Sequence, residues 1–179
     1  MKLKTLKLSV LALIVILCIA SCKKEEEKKE ETNNPPASTG ITMGTFRAKV
    51  NGELLTAKTV TKNFNTASSV LISGVGGATT NIFTLTIGMG DFTGIGTYKL
   101  GVLNSLGLGI NGIFYDALTG AYSCTNQFSE TSGEVVVTEF TDKKSIKGTF
   151  HFNAKKQGTS GNGQEMIDIT DGEFYISLE

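Results

Sequence analysis

Residues 45–55, Thr45-Phe46-Arg47-Ala48-Lys49-Val50-Asn51-Gly52-Glu53-Leu54-Leu55, set the terms on which the rest of the chain is read. Phe46, Ala48 and Val50 alternate with Arg47 and Lys49. A period of two is that of a strand with one dry and one wet face. Asn51-Gly52 then supplies two adjacent residues that accept positive φ, as a two-residue hairpin turn demands. The stretch therefore reads as two antiparallel strands around a tight turn.

Outward from this hairpin the same signals recur every 8–12 residues, the spacing of an antiparallel sandwich or barrel. "SSVLISGV" and "NIFTLTIGM" flank a glycine-rich segment, 74–81, that reads as a loop. "GTYKLGV" follows "GDFTGIG", and "INGIFYDA" and "AYSCTN" flank Leu118-Thr119-Gly120. "GEVVVTEFT" and "SIKGTFHFNA" meet at Asp142-Lys143-Lys144, and Ile146, Gly148, Phe150, Phe152 and Ala154 share one face. The apolar residues of "EMIDIT" are odd-numbered and those of "EFYISLE" even-numbered. The change of parity at Asp171-Gly172 is read as a hairpin, with a bulge in one bent strand as the alternative. β-Branched residues and glycines interrupt every helical candidate after Gly40. The expected fold is all-β: an antiparallel β-sandwich or flattened barrel of about ten strands, spanning 41–179.

The 179-residue chain is formally neutral, but its segments differ. From Ile41 onward there are 10 basic and 12 acidic residues with the signs interspersed, which is no footprint for nucleic acid. Met1–Lys7 is short and basic, and Leu8–Ala20 is apolar. At about 13 residues the apolar run is too short for a bilayer-spanning helix, which needs roughly 20, and the pattern is that of a secretory signal. Ile19-Ala20-Ser21-Cys22 at its end resembles the lipobox of bacterial lipoproteins. That resemblance implies a signal peptide over 1–21, cleavage after Ser21, and acyl chains on Cys22 as the membrane attachment. A thiol is a competent nucleophile for such a transfer, and two or more chains anchor stably. Cys18 leaves with the signal, so the mature chain holds a capped Cys22 and Cys124, with no intrachain disulfide.

Residues 22–40 then form a lipidated, flexible tether. "KKEEEKKEETNNPPASTG" has too little apolar surface to offset its ordering entropy, and its 18 residues reach roughly 25 Å. Lys23, Lys24, Glu25, Glu26 and Glu27 resemble the surface-export signal of Bacteroidota lipoproteins; a solvated charge run is the plainer reading. The expected location is the outer membrane, lipid-anchored, at the cell surface or the periplasmic face.

A wider resemblance covers most of 44–178. "FRAKVNGELLTA", "SGEVVVTEF", "KSIKGTFHFNA" and "ITDGEFYISL" resemble a family of uncharacterised Bacteroidota lipoproteins, which open with an F-x-A-x-V-N-G hairpin and close with G-T-F-x-F and G-x-F strands. The resemblance implies a β-rich lipoprotein domain and transfers no catalytic residue.

The search for chemistry returns no catalytic, cofactor-binding or metal-binding residue. His151 is the only histidine and points away from the face of Phe150 and Phe152, and a zinc site wants three or four ligands. Cys124 reads as a packed strand residue, although a thiol paired with His151 is the arrangement a nucleophile would need. Asp168, Asp171 and Glu173 lack calcium-loop spacing and read as a turn. Leu103, Leu106, Leu108, Ile110 and Ile113 form an apolar cluster among glycines, read as a core strand or bent connection, or else as a pocket lip. The expected function is a non-enzymatic, lipid-anchored β-domain acting as a binding or accessory module, with a protein, a glycan or a small apolar ligand as partner. The alternative is a lipocalin-like carrier of a small apolar ligand.

Overall fold

A computed structural model describes residues 40–65, 69–107, 109–142, 144–158 and 165–179. The expected signal peptide, Cys22, the run Lys23, Lys24, Glu25, Glu26 and Glu27, the tether before Gly40, and Leu108 all lie outside the described residues.

The opening hairpin forms as its sequence dictates. β1 (Thr45–Val50) pairs with β2 (Glu53–Asn65), with Val50 opposite Glu53. Asn51 and Gly52 turn between them at φ 49° and 88°, which match the right-handed twist of the flanking strands. β3 (Ser69–Ala78) and β4 (Asn81–Met89) form the next hairpin. β5 (Gly96–Leu100) follows, and the two-residue strands β6 (Val102–Leu103) and β7 (Gly109–Ile110) pair only with each other. β8 (Gly112–Asp116) and β9 (Gly120–Cys124), β10 (Gly133–Thr141) and β11 (Ser145–Lys156), and β12 (Met166–Ser177) complete the set. Among the described residues every element is a strand.

Ten strands form one antiparallel sheet in the order β12-β1-β2-β3-β4-β8-β9-β11-β10-β5. β12 also pairs with β11 over most of its length, and this closes eight strands into a ring. The fold is a closed barrel rather than a sandwich. β10 and β5 continue the wall beside β11, and their Val135, Val137, Tyr98 and Leu100 are buried in the same core. Closure through β11 and β12 removes the free edge of β12, while β5 remains the outer edge of the sheet.

Bulges supply the bend that closure needs. On β12, Arg47 faces Glu173 but Lys49 faces Thr170, so one extra residue is accommodated. Asp171 takes it up at φ 49°. The parity switch at Asp171-Gly172 is therefore a bulge in a single strand, and the expected hairpin is not formed. Both halves of β12 are held by β11 on one side and β1 on the other, which leaves no room for a reversal.

The glycine-rich segment 74–81 is corrected in the same way. Its glycines lie inside β3, and the turn is only Thr79-Thr80. A side chain at Gly74 would meet the Phe46 ring at 2.3 Å, and one at Gly76 the Phe83 ring at 2.5 Å. These glycines mark close approach of rings rather than a loop. The same fit recurs where Gly148 lies under Phe174 and Gly172 under Phe150.

The interior is accordingly aromatic. Phe46 stacks on Phe150 at 5.4 Å between centroids, and Phe150 also contacts Phe152 and Phe174. Phe83, Phe114 and Tyr122 form a second row. Burying each such side chain contributes about 1.5–3 kcal/mol, and ring pairs in these geometries add about 0.5–1.5 kcal/mol.

Candidate functional site: the open mouth of the barrel

The strand ends define two ends of the barrel. One end carries the β1–β2, β3–β4 and β8–β9 turns together with the ends of β11 and β12. The opposite end carries the β4–β5 connection and the β10–β11 turn. There Phe92 packs on Tyr98 (5.3 Å), Phe140 (5.1 Å) and Phe64 (6.5 Å). The Tyr98 hydroxyl donates to the Gly94 carbonyl at 2.7 Å and accepts from the Thr93 N–H at 3.2 Å. The loop is thereby pinned over the core, and Phe92 plugs that end among the described residues.

Among the described residues the turn end holds an open cleft of about 480 Å³. Val50, Leu55, Phe83, Phe114, Tyr122 and Ile167 form its apolar floor. Asn51, Glu53, Asn81, Asp116, Thr119 and Glu165 form its polar rim. Strand geometry accounts for this division. Phe83, Phe114 and Tyr122 are inward-facing residues close to hairpin turns, so their rings stop just below the barrel edge. The turn residues above them are polar because they are wet.

Two local networks hold the rim. Asp116 Oδ1 accepts from Leu118 N and Thr119 N, each at 2.9 Å, and from Thr119 Oγ1 at 3.1 Å. Glu165 accepts from the Tyr122 hydroxyl at 2.8 Å and pairs with Lys156 Nζ at 2.9 Å. The Lys156 ammonium also lies 5.7 Å from the Tyr122 ring centroid. Hydrogen bonds from Lys156 and then Tyr122 hold the Glu165 carboxyl below its ordinary value, and the same bond to Glu165 raises Lys156.

The residues singled out from the sequence lie elsewhere. His151 is exposed on the outer face of β11, opposite Glu134. Cys124 is buried in the core, and burial pushes its thiol up, against smaller opposing effects of Thr131 and the Gly112 backbone. The two side chains face opposite sides of the barrel wall, so no thiol–imidazole pair is assembled. Glu173 pairs with Arg47 at 2.6 Å and Asp171 with Lys49 at 2.8 Å, while the Asp168 N–H donates to Asn51 Oδ1. Cations on β1 thus meet two of the three acidic residues, Asp171 and Glu173. Among the described residues no three His, Cys, Asp or Glu side chains converge on a metal position.

Of the apolar cluster, Leu103, Leu106 and Ile110 lie on the bent connection that carries β6 and β7, and Ile113 lies in β8. Leu103 and Leu106 are exposed, while Ile110 and Ile113 line a separate outer hollow of about 180 Å³ near the closed end. Ser105 donates from its N–H and hydroxyl to the Asp91 carboxylate, at 2.7 and 2.5 Å, which ties this connection to the β4–β5 loop and holds Asp91 below its ordinary value.

Sequence reasoning missed the mouth. The signal that marks it is three aromatic residues, Phe83, Phe114 and Tyr122, each two or three positions from a hairpin turn and beside a polar turn residue.

No curated protein and no solved structure matches the chain. A family model matches over residues 42–176, from just before β1 almost to the end of β12. The chain belongs to the family described as a domain of unknown function, DUF6252.

Proposed function

We propose that this β-barrel is a non-enzymatic binding module, anchored to the outer membrane by acyl chains on Cys22, that takes a small molecule into its open mouth. The observation that carries the binding role is the aromatic-floored cleft of about 480 Å³, within the usual ligand-site range of roughly 300–1,000 Å³. The lipobox-like Ile19-Ala20-Ser21-Cys22 supports the anchor. The Lys23-Lys24-Glu25-Glu26-Glu27 run and the likeness to Bacteroidota lipoproteins support placement at the surface.

The second reading, a lipocalin-like carrier of an apolar ligand, draws on the same apolar floor. It differs in where the ligand sits. Stacked rings occupy the space within the barrel, so a ligand rests at the mouth rather than deep inside.

Two measurements test the anchor and the address. Cys22→Ser is expected to move the protein from the detergent phase to the aqueous phase on Triton X-114 partition; unchanged partition overturns lipidation. Protease treatment of intact cells is expected to digest the parent and spare a variant with Glu25, Glu26 and Glu27 replaced by alanine. Equal digestion of the two overturns the export role of the acidic run.

A further inference from the structure

The mouth has a charge bias that its ligand must match. Among the described residues its lining includes three acidic residues, Glu53, Asp116 and Glu165, and no lysine, arginine or histidine. Elsewhere six cationic side chains of the barrel are ion-paired. Arg47, Lys49, Lys99, Lys147, Lys155 and Lys156 each meet a carboxylate within 4 Å. Glu165 is satisfied in this way by Lys156. Glu53 and Asp116 are the exceptions at the mouth: no lysine or arginine among the described residues pairs with either. Asp116 spends one carboxylate oxygen on its own turn, which fixes the group in place.

From this geometry we infer that the mouth cleft takes a small cationic amphiphile, with an apolar or aromatic body on the Phe83–Phe114–Tyr122 floor and a protonated amine at the Glu53–Asp116 rim. The inference rests on the reading of the mouth as a binding site and names its ligand class. The floor contributes by removing apolar area of the ligand from water. The rim contributes by charge complementarity and penalises the opposite sign. A carboxylate- or phosphate-bearing amphiphile of the same size would place its charge against unpaired carboxylates and is disfavoured.

Three probes of matched chain length separate the terms: octylamine, octanol and octanoate, titrated calorimetrically into the full-length protein at neutral pH and low salt. Octylamine is expected to bind at least about tenfold more tightly than octanoate, with octanol between them. In Glu53→Gln/Asp116→Asn the amine's advantage is expected to fall to within about twofold of octanol, because asparagine keeps the turn-capping oxygen while the charge is gone. Ala78→Trp tests the location. Ala78 lines the cleft and is solvent-exposed, so the bulky ring narrows the mouth without entering the core. It is expected to weaken all three probes by at least about tenfold, and it introduces the chain's first tryptophan as a local fluorescence reporter. Octanoate binding as tightly as octylamine, with both weakened by Ala78→Trp, overturns the cationic class and leaves the mouth as the site. Binding of none of the probes, or binding that Ala78→Trp leaves unchanged, overturns the mouth as the site.

Discussion

The two ends of the barrel are made by the same strands and are finished in opposite ways. At one end the β4–β5 connection folds inward, places Phe92 on Tyr98, Phe140 and Phe64, and is held by the Tyr98 hydroxyl. At the other, the described residues leave a cleft over Phe83, Phe114 and Tyr122. Both have aromatic residues near the edge. Among the described residues, what differs is whether an apolar segment lies over them. The turns Asn51-Gly52 and Thr79-Thr80 are each two residues and cannot reach across, whereas the β4–β5 connection has room to deliver a phenylalanine. Stability and binding capacity are thereby assigned to opposite ends.

Substitutions that break this contrast have graded effects. Phe92→Ala removes the ring that closes the lower end and is expected to cost about 3 kcal/mol in chemical denaturation, at the low end for phenylalanine because the site is only half-buried. Leu118→Ser, at the mouth and 73% exposed, is expected to stay within about 0.5 kcal/mol of the parent. If the two shifts are equal, the ends are not energetically distinct.

Gly76→Ala is expected to cost about 1–3 kcal/mol by the same assay, because the added methyl meets the Phe83 ring at 2.5 Å and the Thr56 carbonyl at 2.7 Å. A neutral result would mean that β3 shifts readily, which argues against a rigid floor. Tyr98→Phe keeps the ring stack but leaves the Gly94 carbonyl without its donor. It is expected to cost about 1–2 kcal/mol and to speed amide exchange at residues 92–95 while the mouth turns are unaffected.

The smallest effects are those of pH. The folded-state carboxyl of Glu165 is depressed, so its contribution is present above the unfolded carboxylate value and is lost as pH falls from there through the lower folded-state value. Lys156 is raised, so its share holds below the unfolded lysine value and is lost only in strong alkali. Glu165→Gln is therefore expected to differ slightly from the parent at neutral pH and to match it in acid, as followed by the Tyr122 ring signals. The Cys124 thiol is raised by burial, so stability is expected to decline as pH rises from the ordinary thiol range, and Cys124→Ala is expected to flatten that decline.

Much of the fold was legible before any tertiary contact was known. The Asn51-Gly52 hairpin, the inward set Ile146, Gly148, Phe150, Phe152 and Ala154, and the β8–β9 and β10–β11 turns depend on local backbone preference and on a two-residue period. Three features were not legible. Gly74 and Gly76 look like loop residues in one dimension, because the rings that need their space belong to Phe46, nearly 30 positions away, and to Phe83 across the hairpin. Asp171 reads equally well as turn or bulge, because the choice depends on whether two other strands hold both halves of β12. The cleft is assembled from turns that are remote in sequence, so no contiguous motif announces it.

By itself, then, the amino-acid order determined that the domain is all-β, which side chains face inward, where most turns fall, and the resemblance to a lipoprotein leader that carries its expected address. These follow from short-range sterics, hydrophobic alternation and a linear recognition signal. Only the tertiary structure decided that the sheet closes through β11 and β12, that one end is plugged by Phe92, and that the other remains an acidic-rimmed mouth. Closure, plugging and cleft all depend on register between distant strands and on the bulges that bend them, and no local window of the chain contains that information.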